Sequence, residues 1–130
     1  MRYGLLVLGA PFSSEAPRSA LRFAEALFKE GHQLEGVFFH HDGVFNASTQ
    51  LGDMPPHAEL YQQWCALNEK YGVTLDVCVS AAMQRGLINQ AEATRQHLDW
   101  HNVVAPFELT GIGQLVDLQN RCERFISFAP

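Results

Sequence analysis

The feature that most constrains this chain is a repeated handover from an unbroken apolar run to a stretch with helical spacing. Residues 3–9, YGLLVLG, are apolar without alternation, as strands buried on both faces of a parallel sheet are. In the next segment Ala20, Phe23, Ala24, Leu27 and Phe28 recur at helical spacing. Ser13 or Ser14 supplies a cap, Pro17 suits a first turn and Gly31 ends the helix. The pattern then returns. LEGVFFH (34–40) predicts a second strand, and HAELYQQWCALNEKYG (57–72) a helix with Leu60, Trp64, Leu67 and Tyr71 on one face and Gly72 as its stop. VTLDVCV (73–79) predicts a third strand, NQAEATRQHLDWHN (89–102) a helix and PFELTG (106–111) a short strand. IGQLVDLQNRC (112–122) and RFISF (124–128) predict a last helix and a last strand. Residues 41–56, rich in Gly, Asn, Ser and Pro, read as loop. Strands apolar on both faces, alternating with helices, predict a three-layer α/β/α fold with a mostly parallel sheet, one domain over 1–130.

Composition narrows the function classes. The chain has 130 residues, enough to enclose a real core. Lys plus Arg count 9 against 14 acids, a formal net charge of −5, whereas domains that grip nucleic-acid phosphates are usually basic. Three cysteines, Cys65, Cys78 and Cys122, contain no CxxC, which argues against a disulfide framework and a zinc ribbon and for reduced thiols in a cytoplasm. The opening MRYGLLVLGAPF has a short apolar run but no good cleavage site, and no segment is long and apolar enough to cross a bilayer. Hydrophobic residues make up 47% and charged ones 18%. With aromatics crowded in VFFHHDGVF and RFISFAP, this predicts apolar surface left over for partners, and a last strand near a sheet edge.

In open parallel sheets, reactive groups gather at the carboxyl ends of the strands. Cys78 falls there, at the end of the third strand, and a helix-friendly stretch comes directly after it. A thiol beside a helix N-terminus is favoured as the thiolate, the nucleophilic form. Ser80 suits the cap, and Arg85 adds a cation if the turn folds back. Asp76 opposes this, because strand alternation puts it on the same side as Cys78. The competing reading is a small buried hydrophobe. Cys65, at the edge of its helix's apolar face, and Cys122, in register with Leu115 and Leu118 and so pointing into the core, read as packing. His40 and His41 come after a strand and could line the same rim as proton donors. His97 and His101 share a helix face if 89–102 is one helix, but two ligands are not a metal site. Gly111-Ile112-Gly113 before a helix could cradle an anion, yet it lacks the dinucleotide fingerprint, and GxSxG is absent.

Three blocks carry a family likeness: MRYGLLVLGAPFSSEAPRSALRFAEALFKEGH, VFFHHDGVFNA and GVTLDVCVSAAMQRG. With LTGIGQLVDLQNRCERFISF they resemble the DsrE/TusD-like family of sulfurtransferase subunits nearly end to end. The resemblance implies that Cys78 matches the family's sulfur-carrying cysteine. It implies a relay that takes sulfane sulfur as a cysteine persulfide from a TusA-like donor. The sulfur passes to a TusE-like acceptor, for 2-thiolation of a tRNA wobble uridine, with no cofactor and no metal. Homologous TusB-like and TusC-like subunits complete a heterohexamer, and tight tRNA binding is left to a later enzyme. A relay needs one nucleophilic sulfur and no resolving thiol, which would turn a persulfide into a disulfide. The lack of a CxxC fits. A DsrE-type carrier in sulfur oxidation and a non-catalytic assembly or binding subunit of the same fold are the alternatives.

Overall fold

The structure is a computed structural model and describes residues 1–130. Its elements run β1 (Arg2–Val7), α1 (Ala16–Lys29), β2 (Gln33–Phe39), a 3₁₀ segment (His41–Ala47), α2 (Thr49–Gly52), α3 (His57–Tyr71), β3 (Thr74–Cys78), α4 (Val79–Gln84), α5 (Gln90–Arg95), β4 (Phe107–Thr110), α6 (Ile112–Arg121) and β5 (Arg124–Phe128). The five strands form one sheet in the order β4-β3-β2-β1-β5, every neighbouring pair parallel. β5 is an edge strand, as expected.

Side-chain alternation separates the two faces. Tyr3 stands against Phe23 of α1, with ring centroids 5.9 Å apart. Gly4, the next residue, points the other way. A Cβ built on Gly4 would meet Cys122 Sγ at 2.9 Å and Leu118 of α6 at 3.2 Å, so only glycine lets the end of α6 approach β1 this closely. Gly36 of β2 likewise faces Leu118. On the first face Phe39 meets Trp64 of α3 edge-on at 5.2 Å. Helices α1 and α3 therefore cover one face and α6 the other, which gives the three layers. The largest fully buried side chains, Trp64, Phe38 and Phe39 among them, belong to one continuous core.

Local chemistry explains the first helix. Ser14 Oγ accepts a hydrogen bond from the Ala16 N–H at 3.0 Å, and a proline sits in the first turn. At the other end Gly31 has φ 79°, and the His32 N–H reaches back to the Leu27 carbonyl at 2.9 Å. That left-handed residue and its returning bond satisfy carbonyls the helix would otherwise orphan.

Several expectations need correction. Residues 41–56 are not plain loop, since they hold the 3₁₀ segment and α2. The helix expected over 89–102 ends at Arg95. His97 there takes φ 58°, the Leu98 N–H bonds the Ala93 carbonyl at 2.8 Å, and the His97 N–H bonds that of Thr94 at 3.2 Å. This is a left-handed helix stop in which histidine fills the place glycine usually takes. Cys122 lies after α6, at its C-cap, and is half-buried, with its sulfur turned to Gly4 and packed against the core as expected. Phe38 and Phe39 are wholly buried, so the block around them is core, not leftover surface. The exposed large apolar residues lie elsewhere, at Phe12, Trp100, Ile112 and Val116 among others. No helix is long and apolar enough to cross a membrane.

Candidate active site

Strand β3 runs into α4 without a loop. Cys78 is both the last residue of the strand and the N-cap residue of the helix, with φ −59° and ψ 117°. The apolar, β-branched run before it favours the strand, and the Ser-Ala-Ala-Met sequence after it favours the helix. Ala81 and Ala82 are buried and Gly86, at φ 78°, closes the turn. Cys78 thus stands at the carboxyl edge of a central strand. Ser80 is not the cap, because it lies inside α4, with its Oγ 3.9 Å from Cys78 Sγ. At six residues α4 is also short, so the dipole behind the thiol is smaller than the sequence suggested.

Cys78 is only 3% exposed and belongs to the hydrophobic core. The 3₁₀ segment packs against both β3 and α4, the two elements that meet at Cys78. It is tied to α4 by an ion pair from Arg85 Nε to Asp42 Oδ1 at 2.9 Å. Arg85 Nη1 also donates to the Ala81 carbonyl at 3.0 Å. The turn does fold back, as the sequence allowed, but Arg85 spends its donors as a latch between two segments. Asp42, its partner, carries no sequence motif beyond its place after the histidine pair.

Register places the rest of the rim. Phe39 of β2 pairs with Val77, and Cys78 pairs with Thr110, the last residue of β4. His40 continues β2 with extended backbone, φ −141° and ψ 167°, and its N–H bonds the Val7 carbonyl at 3.1 Å. His40, Cys78 and Thr110 therefore stand in a row across three strand ends on one face, the α6 face. His40 Nδ1 and Thr110 Oγ1 are both buried without a hydrogen-bond partner. Burial first, then the charges of His41 and Arg85, hold the His40 imidazole below the ordinary histidine range. His41 has φ 49°, a left-handed conformation that costs a non-glycine residue energy.

Asp76 sits two residues back on the Cys78 side, paired with Phe38 and Glu108. Burial and the charge of Glu108 push its carboxyl above the usual range, and Arg121 pulls it partly back. The other two thiols are elsewhere. Cys65 lies on α3, across the sheet. Cys122 precedes β5 at the amino end of the sheet, where Arg124 pairs with Tyr3. Burial raises both thiols above the ordinary cysteine value, which favours the protonated form. His97 and His101 do not share a helix, since α5 ends before both. No three His, Cys, Asp or Glu side chains are grouped to hold a metal ion. Gly111 caps α6 immediately after Thr110, with open space at both Gly111 and Gly113. Chemically, the arrangement offers one thiol at a strand end, flanked by hydroxyl and imidazole groups and distant from any second thiol.

The model of the DsrE/DsrF-like family matches residues 1–128. Sulfurtransferase TusD of Salmonella newport (strain SL254) is 40% identical over 128 residues, covering 98% of this chain and 100% of that protein. The protein of the same name from Salmonella typhi is 39% identical over the same length, with the same coverage. Among solved structures, the crystal structure of the ychN protein from E. coli superposes with a TM-score of 0.72, covering 98% of this chain and 100% of that one. Its 21% identity makes this a likeness of fold alone. With a family model matched almost end to end and full-length relatives well above a third identical, the chain belongs to the DsrE/DsrF-like family.

Proposed function

We propose that this protein is a relay-type sulfurtransferase in which Cys78 accepts sulfane sulfur as a persulfide and passes it to the next carrier. The observation that carries the reading is the isolation of Cys78 at the carboxyl edge of β3 in a chain 40% identical, end to end, to a sulfurtransferase. Cys122 lies beyond the Tyr3–Arg124 pair at the opposite end of the sheet. Four residues of strand separate that pair from the level of Val7, roughly 13 Å. Cys65 lies across the sheet. A persulfide on Cys78 therefore meets no thiol of its own chain that would resolve it to a disulfide.

The pathway is 2-thiolation of a tRNA wobble uridine in the cytoplasm, with the whole chain acting as one domain. A TusA-like protein donates the sulfur and a TusE-like protein accepts it. TusB-like and TusC-like homologues join the chain in a heterohexamer. The net charge of −5 supports the absence of tight tRNA binding by this subunit. A second reading, a non-catalytic assembly subunit, is favoured by one observation: Cys78 is 3% exposed, as a packing cysteine would be.

Sulfur transfer from a persulfide-loaded donor to acceptor, measured with the assembled complex, decides between them. Cys78→Ser removes the carrier atom with a small change in volume and abolishes transfer, while Cys65→Ser and Cys122→Ser retain it. Normal transfer by Cys78→Ser would favour the assembly reading.

A further inference from the structure

We propose that Thr110 is a catalytic residue of this transfer, its hydroxyl donating a hydrogen bond to the outer sulfur of the Cys78 persulfide. The inference rests on the relay reading of Cys78. Its starting point is a hydroxyl with nothing to do. Thr110 Oγ1 is buried without a partner, a state that costs free energy and is uncommon in native structures. Thr110 pairs directly with Cys78, so the two side chains stand on the same face of neighbouring strands. The other unpartnered buried atoms fit the task less well. Trp64 Nε1 and His57 Nδ1 belong to α3, which covers the opposite face. Asn46 Oδ1 is a carbonyl oxygen and only accepts. His40 Nδ1 donates in only one of two neutral tautomers, whereas a threonine hydroxyl always has a proton to give.

The distances suit an added sulfur. Adjacent strands lie about 4.8 Å apart, and an S–S bond adds about 2 Å beyond Sγ. An outer sulfur on Cys78 thus spans nearly half of the gap towards Thr110. Ser80 Oγ, 3.9 Å from Sγ, is placed to attend the inner sulfur instead.

The step balances without a redox partner. The Cys78 thiolate attacks the outer sulfur of the donor persulfide. The donor S–S bond breaks, the new S–S bond to Cys78 forms, and the electron pair leaves on the donor thiolate, which takes a proton from solvent. The hydrogen on the transferred sulfur stays until the persulfide ionises to solvent. Thr110 then donates to the anion. For onward transfer the outer sulfur is reprotonated, the acceptor thiolate attacks it, and Cys78 Sγ departs with its electron pair.

The test loads the assembled complex with glutathione persulfide and measures sulfur on Cys78 by mass spectrometry of intact subunits and peptides. Thr110→Val keeps the shape and loses the hydroxyl. Its equilibrium loading falls about tenfold, the effect of one hydrogen bond to a charged group. Thr110→Ser restores the hydroxyl and returns loading to within about twofold of the native protein, a rescue that a purely structural role would not produce. Equal loading of native protein and Thr110→Val overturns the inference while leaving the relay reading intact. Absence of sulfur on native Cys78 overturns the relay reading and this inference with it. If Thr110→Val does not fold, the Thr110 ¹³Cβ resonance of native protein decides: a shift on loading supports the bond, and an unchanged resonance refutes it.

Discussion

Cutting the latch between Arg85 and Asp42 should expose Cys78 without unfolding the protein. The pair joins the 3₁₀ segment to α4 at 2.9 Å, with the Arg85 side chain 24% exposed and that of Asp42 60% exposed. A pair this open to solvent contributes about 0.5–1 kcal/mol. Arg85 also holds the Ala81 carbonyl, a further contribution of about 1 kcal/mol. If the Cys78 thiol reacts only when the segment lifts, its alkylation rate tracks the population of the open form. Asp42→Ala then accelerates alkylation about threefold, and Arg85→Ala by about tenfold to thirtyfold, from the factor of ten per 1.4 kcal/mol. The assay is pseudo-first-order labelling with iodoacetamide, measured at each cysteine by peptide mass spectrometry. Cys65 and Cys122, half-buried and remote from the latch, serve as internal controls. An Arg85→Ala rate equal to that of native protein would refute the reasoning. So would equal acceleration at all three cysteines, since that marks general destabilisation.

Two further perturbations test the local energetics. His97→Gly relieves a left-handed conformation at φ 58°, which costs an L-residue about 1–2 kcal/mol. Glycine loses about 0.5–1 kcal/mol in extra chain entropy, so thermal unfolding should show a gain of about 0.5 kcal/mol, a rise of a degree or two; a fall in melting temperature would count against this helix stop. Asp76→Asn should raise the melting temperature at neutral pH, because burial and Glu108 lift the carboxyl's folded-state pKa above its unfolded value. Such a carboxyl favours the folded state while protonated and costs stability once pH rises through the raised pKa, so the advantage of asparagine should vanish as pH falls through the carboxylate range. A variant less stable than the native protein at neutral pH would show that the ionised group is compensated.

The parallel sheet was legible because residues 3–9 are apolar on both faces and 34–40 largely so, the pattern of parallel strands covered on both sides. Strand order was not legible. It depends on where each crossover lands, and no local pattern in RFISF says that β5 pairs with β1 rather than β4. The 89–102 helix failed for a different reason. Its composition suits a helix throughout, but the returning bonds from His97 and Leu98 end it early with a residue that ordinarily gives no stop signal. At the site, the position of Cys78 at a strand–helix junction was readable from the apolar run before it and the helix-friendly residues after it. Its burial was one of two open readings, because the 3₁₀ segment that packs against β3 and α4 reads as loop. Thr110 was invisible for the same kind of reason: its pairing with Cys78 is a matter of register between strands 32 residues apart in sequence.

The central claim is that sulfur resides on Cys78. Native complex incubated with a persulfide donor and then digested without reductant should show the mass of one added sulfur atom on the peptide containing Cys78, reversed by the acceptor protein. The peptides of Cys65 and Cys122 should remain unmodified. Sulfur on either of those cysteines with none on Cys78, or no sulfur on the chain at all, would contradict the account.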